Sequence, residues 1–132
     1  MNISNQAYHK LNNTLLLLKV SYGLFFITVG IDKYLNYIVD WQKYIYPGVL
    51  EIVQVEPSLF NRGFGAIEII CGLLLLTQWA RISASLVTLA LLGVATNLAF
   101  LGYLDIAARD VLLAVGTIAI ILLIGVEEEI KA

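Results

Sequence analysis

Much of what an enzyme usually needs is scarce in this chain. It has one histidine, one cysteine and two prolines, and only 14% of its residues are charged. His9 alone cannot assemble a metal site, which needs several more ligands within reach, and it reads as an interfacial polar residue. Cys71 cannot form an internal disulfide, which excludes the CxxC-based exchange chemistry of a membrane thiol oxidoreductase. There is no basic patch. The net charge of −2 comes largely from the run Glu127-Glu128-Glu129, so it points neither to nucleic acid nor to an acidic substrate. No haem, flavin or iron–sulfur motif is present, and any electrons would have to come from a partner.

What the chain has in excess is apolar surface. Of its 132 residues 60% are hydrophobic, with a mean hydropathy of +0.86, against about 45–50% in soluble domains. A transmembrane helix needs about 20 apolar residues, and the sequence offers such runs at Thr14 to Ile31, Asn61 to Trp79, Ile82 to Leu104 and Ile106 to Val126. The expected fold is therefore an all-α membrane protein, a four-helix antiparallel bundle with a long loop between the first two spans. The first run lacks a small-x-small cleavage site and is expected to be a retained span. Met1 to Asn13 forms a polar lead-in on one side of the membrane, side A.

One residue conflicts with this apolar background. Glu68 lies inside Gly63 to Leu76, and a charge at that depth costs a few kcal/mol or more, so it must face a partner, carry a proton or line a wet cavity. Gly65, Glu68, Gly72 and Leu75 follow at spacings of three and four, which puts them on one helical stripe. The glycines let a neighbouring helix come close. In the first span Lys19, Gly23, Phe26, Gly30 and Lys33 keep the same rhythm, and helix is expected to continue to Tyr37. In the third, Ser83, Leu86, Ala90, Gly93, Asn97 and Phe100 do so.

Residues 34–62 form the long loop on the opposite side, side B. Tyr34, Tyr37, Trp41, Tyr44 and Tyr46 mark the headgroup level. Pro47-Gly48 signals a turn, Val49 to Val55 is either a short interfacial helix or extended, and Ser58 or Asn61 is expected to cap the second span. Gln78 to Arg81 is a link short enough to make the second and third spans antiparallel neighbours. Gly102 to Asp105 is the last turn, with Asp105 as the expected N-cap of the fourth span.

Counting depth from these connections brings Asp32 and Lys33, Glu68, Asn97, and Arg109 with Asp110 to the same third of the membrane, on side B. The candidate ligand-binding residues are therefore Lys33, Glu68, Asn97, Arg109 and Asp110, around a polar pocket with the aromatic loop as its lid. Each has a plainer role available. Arg109 and Asp110 can anchor a helix end, Lys33 can snorkel to phosphates, Asn97 can be packing glue, and Glu68 can be a structural ion pair with Lys33 or Arg109. Cys71, one turn from Glu68, is a small hydrophobe in a buried setting. Lysine and arginine are nearly balanced between the two sides; cytoplasmic termini are expected, which makes the pocket outward-facing.

The run Gly23-Leu-Phe-Phe-Ile-Thr-Val-Gly-Ile-Asp-Lys33, the pattern Gly65-x-x-Glu68-x-x-x-Gly72-Leu-Leu-Leu75, Arg81 at the next turn and Arg109-Asp110 opening the last span together resemble the DoxX family of small four-span bacterial membrane proteins. The resemblance covers nearly the whole length after the first dozen residues. It implies a prokaryotic inner-membrane protein, and at most an accessory subunit of a quinone-linked oxidoreductase.

Three functions follow as expectations. In the first, a membrane subunit holds a quinone-like or other small amphipathic molecule, or the redox site of a protein partner, in the side-B pocket; a carboxylate could then exchange a proton with a quinol while a cation holds a ring oxygen or an anionic sulfur species. In the second, a proton-coupled transporter uses Glu68 and, being so small, works as a homo-oligomer. In the third, a scaffold without chemistry uses its charges to fix helix register. Membrane lipid surrounds the protein in all three.

Overall fold

The computed structural model describes residues 3–132 and shows five helices: α1 (Asn5–Leu35), α2 (Pro47–Val53), α3 (Pro57–Leu75), α4 (Ala80–Phe100) and α5 (Leu104–Lys131). Four of them, all but α2, are long and apolar enough to cross a membrane, and the protein is an integral membrane four-helix bundle. At 1.5 Å per residue α3 and α4 are about 30 Å long, the thickness of the hydrocarbon core, while α1 and α5 are about 40–45 Å long. Both of the longer helices overhang on side A.

The polar lead-in is therefore not a separate element. Ser4 caps α1 by accepting the Ala7 N–H, and the helix runs on without a break; Met1 and Asn2 lie outside the described residues. At the other end α1 stops at Leu35, before Tyr37, because Asn36 turns left-handed at φ 48° and its N–H closes on the Asp32 carbonyl. That is the geometry of a helix C-cap.

Several loop expectations are corrected. Pro47-Gly48 does not turn the chain but opens α2, with Pro47 in the first helical turn, where its missing N–H has no cost. Val49 to Val53 is helical, and Gln54 ends it at φ 52°. Neither Ser58 nor Asn61 caps α3; Pro57 starts that helix after Glu56, with no side-chain cap. Asp105 lies inside the first turn of α5 rather than at its N-cap, which is Tyr103. There its charge still suits the positive end of the helix dipole. The third span ends at Phe100, and Gly102 at φ 86° makes the turn that follows.

Packing is uneven. α1 lies chiefly on α3 and α4 chiefly on α5, while the α3–α4 and α1–α5 contacts are thinner. The α1–α3 contact rests on two reciprocal glycine pairs. A Cβ at Gly30 would lie 2.6 Å from the Gly65 carbonyl oxygen and one at Gly65 2.7 Å from that of Gly30; Gly23 and Gly72 are related in the same way, at 2.9 and 2.7 Å. The two helices are thus antiparallel and in backbone contact twice, seven residues apart on each. The buried core fills the remaining interior with Leu15, Phe26, Leu75, Val87, Leu91 and Ile120. Two buried threonines, Thr88 and Thr117, bond across α4 and α5 at 2.6 Å.

Gly30→Ala or Gly65→Ala is expected to push α1 and α3 apart and to destabilise the bundle by about 1–3 kcal/mol, the usual cost of overpacking. Gly93→Ala, where a Cβ meets nothing within 4 Å, should change stability by less than about 0.5 kcal/mol. Reversible unfolding in mixed micelles measures both.

Candidate functional site

Side-chain direction brings the central pair together. In an α-helix the Cα–Cβ bond tilts towards the N-terminus. On α1, which ends on side B, Lys33 therefore leans inwards, and on antiparallel α3 Glu68 leans outwards to meet it. The glycine register puts Glu68 level with Ile27, six residues or about 9 Å deeper than Lys33. The two leaning side chains span that distance, and Lys33 Nζ donates to Glu68 Oε2 at 2.7 Å. Their side chains are 8% and 13% exposed, so this is a buried pair.

Trp41 roofs the pair, its ring centroid 3.9 Å from Lys33 Nζ. A cation over an indole face is attracted by the ring quadrupole, most strongly where water is excluded. What holds Trp41 there is Asp32, the residue before Lys33. Its carboxylate, 3% exposed, accepts from the N–H groups of Tyr37, Ile38 and Val39 and from Trp41 Nε1, at 2.7–3.2 Å. Four donors on one carboxylate satisfy a charge that would otherwise be destabilised by burial and by the negative end of α1.

Asn97 fixes the far end of the same loop. Its Oδ1 accepts from Tyr46 N–H at 2.8 Å and its Nδ2 donates to the Tyr44 carbonyl at 2.5 Å. Both ends of the amide are thus engaged by the backbone of the loop. Aromatic contacts continue the attachment, Tyr44 edge-on to Tyr103 and Tyr46 against Phe100. The aromatic loop is thus held over the Lys33–Glu68 pair and tied to α1 and α4.

The remaining candidates divide. Asp110 is half-buried on the inward stripe of α5, between buried Ala107 and Ala114, and makes no ion pair among the described residues. Arg109, its neighbour, is exposed and has no ion pair among the described residues. The structure thus pairs Lys33 with Glu68, engages Asn97 with the loop, sets Asp110 on the inward stripe of α5 and turns Arg109 away. Cys71 is buried, and its carbonyl accepts from Ser83 Oγ at 2.6 Å across α3 and α4.

Two residues of the site were not singled out by sequence reasoning. Asp32 was seen only as a neighbour of Lys33, although an acid in the last turn of a helix opposes the dipole and so signals donors from elsewhere. Asn61, 6% exposed, has an Nδ2 with no partner among the described residues; it stands two turns before Glu68 on the same face. Two shallow depressions, of about 200 and 230 Å³, lie along α1, one lined by Thr28, Asp32 and Ile38 and one by Ser21, Phe25 and Leu113. Neither is lined by Lys33, Glu68 or Asp110.

Removing one partner of a buried pair strands the other's charge, so Lys33→Met is expected to cost about 3–5 kcal/mol, and Lys33→Met with Glu68→Leu to recover most of it. A double-mutant cycle of unfolding free energies measures this. Asp32→Ala should release the roof: in a Trp79→Phe background Trp41 emission moves to the red, and the amides of residues 37–39 exchange faster with solvent.

No protein-family model, no characterised protein and no solved structure matches this chain, so its functional reading rests on the geometry of its own residues.

Proposed function

We propose that this protein is a membrane-embedded binding subunit that takes the polar head of a small amphipathic, quinone-like molecule at the Lys33–Glu68 pair, in line with its resemblance to the DoxX family. The observation that carries this is an ammonium and a carboxylate buried between α1 and α3 beneath an aromatic roof. A ring oxygen can accept from Lys33 Nζ and a ring hydroxyl can donate to Glu68. Only a head group enters, and the tail stays in lipid. Electrons, where a reaction follows, are supplied by a redox protein docked over the loop. In a prokaryotic inner membrane with cytoplasmic termini, the site faces outwards.

A second function, a scaffold in which the pair only fixes the register of α1 on α3, is favoured by the direct 2.7 Å contact. The two differ in a measurable way. Native mass spectrometry of the detergent-extracted protein should show a copurified quinone-like species whose occupancy falls about tenfold or more in Glu68→Gln and Lys33→Met, the loss of a charge-assisted hydrogen bond. Arg81→Ala breaks only the exposed pair with Glu128 on side A and should leave occupancy unchanged. A wild-type protein carrying no such species even when the quinone is added in excess, together with full recovery of stability by the swap Lys33→Glu with Glu68→Lys, would establish the scaffold.

A further inference from the structure

The short helix α2 is the helix least covered by the rest of the protein. None of its residues is buried, and it packs only slightly on any other element. Its side chains nevertheless divide by kind. Val49, Ile52 and Val53 stand at i, i+3 and i+4 and form one apolar stripe, while Glu51, turned by about 100° per residue, falls on the opposite side. Ile52 is 84% exposed, and Val53 and Glu51 are exposed as well. An open apolar stripe with a polar back is the pattern of a helix that lies in a membrane interface.

Register fixes both the depth and the tilt of α2. Ser83 Oγ donates to the Cys71 carbonyl across antiparallel α3 and α4, and fourteen residues towards side B from these two lie Asn97 and Pro57, which therefore stand at about one depth. Asn97 holds the residue before α2 by accepting from the Tyr46 N–H. At the other end Gln54 closes α2 and Pro57 opens α3 three residues later. Both ends of α2 are thus fixed where α3, about 30 Å long, leaves the hydrocarbon core. A helix held at one level by both ends lies in the plane of the membrane. Its length of about 10 Å matches the spacing of neighbouring helices, so it bridges the rim from the end of α4 to the start of α3.

The surface on either side of α2 faces lipid already. Tyr46, at its start, packs against exposed Phe100 at the end of α4, and exposed Leu59 lies in the first turn of α3. The apolar stripe of α2 is continuous with that surface. From Pro47 to Pro57 the chain carries two acids, Glu51 and Glu56, and no base, so nothing there attracts an anionic headgroup. We propose that α2 is an in-plane membrane anchor, whose Val49, Ile52 and Val53 enter the acyl boundary of a neutral, zwitterionic phospholipid surface. The loop that carries Trp41 is then held by lipid as well as by Asp32 and Asn97. No bound ligand takes part, so the anchor stands or falls separately from the amphiphile proposal.

Bimane on single cysteines of the full chain tests this, with Ile52→Cys, Val53→Cys or Glu51→Cys in a Cys71→Ala background, in phosphatidylcholine nanodiscs that hold one copy each. At positions 52 and 53 the emission should shift to the blue, be quenched by phosphatidylcholine brominated near the top of its acyl chains, and lose its quenching by aqueous iodide. At position 51 the response should be the reverse. Added phosphatidylglycerol should not strengthen lipid quenching at position 52; stronger quenching overturns the choice of a neutral surface. Iodide quenching at 52 as strong as at 51 overturns the anchor. So does protection at 52 that appears only in nanodiscs holding two copies, which would make α2 a contact between protomers. A misfolded chain exposes the adjacent positions 51 and 52 alike, so it cannot mimic the expected contrast.

Discussion

The backbone contact between α1 and α3 is the constraint from which the rest of the side-B architecture follows. Glycine inside a helix is destabilising by about 0.5–1 kcal/mol relative to alanine, and four of them here serve close approach. Gly23 on Gly72 and Gly30 on Gly65 fix separation, direction and register together. Once those are fixed, Lys33 and Glu68 lie at the offset their leaning side chains can bridge. An ion pair in a membrane contributes little net stability over apolar residues of the same size. Its specificity is greater, because any other register would strand both charges in lipid.

The same pair organises the loop. Lys33 and Asp32 are adjacent in sequence yet act in different directions, the lysine down to Glu68 and the aspartate outwards to three loop amides and the Trp41 indole. Trp41 then closes a circuit by returning to the lysine. Asn97 and two aromatic contacts tie the other end of the loop to α4 and the α4–α5 turn. A connection of this length would usually be mobile. This one is held by side chains that satisfy its backbone, so the bilayer face of the cluster is covered by ordered structure.

The fold was legible in the sequence because its determinants are local. Run length and hydropathy give the spans, and the three-four spacing of Lys19, Gly23, Phe26, Gly30 and Lys33 gives the inward face of α1, of which all but the half-buried Lys19 are buried; the same spacing misplaces the face of α4, where Leu86, Gly93 and Phe100 are exposed and Ala84, Val87, Leu91 and Ala95 are buried instead. The pairing of Lys33 with Glu68 was also readable, since depth follows from counting along antiparallel helices. What escaped depends on contacts made across the chain. Asn97 and Tyr44 are far apart in sequence, and nothing local tells an amide that clasps a loop from one that binds a ligand. Arg109 and Asp110 are neighbours, so depth alone puts both in the cluster, but the helix turns by about 100° between them and only Asp110 faces inwards. The caps failed for a similar reason: Pro57 sets the start of α3 through its fixed φ, which overrides the hydrogen-bonding preference of Ser58 or Asn61.

The bundle is best described as two helix pairs joined by a seam. α1 with α3 and α4 with α5 are each extensively packed, and Thr88 with Thr117 bonds within the second pair. Between the pairs the contacts are thinner and carry two hydrogen bonds to backbone carbonyls, Ser83 to Cys71 and Tyr22 to Leu113. The acidic cluster lies across this seam, Lys33 and Glu68 from one pair and Asp110 from the other. Within a pair a charge change would have to work against paired glycine backbones or a buried threonine bond. Across the seam it acts on the least extensively packed boundary in the molecule. Asp110 stands half-buried on the inward stripe of α5, on the far side of that boundary from the Lys33–Glu68 pair, so the polar residues of side B belong to both helix pairs and meet where the bundle is least extensively packed.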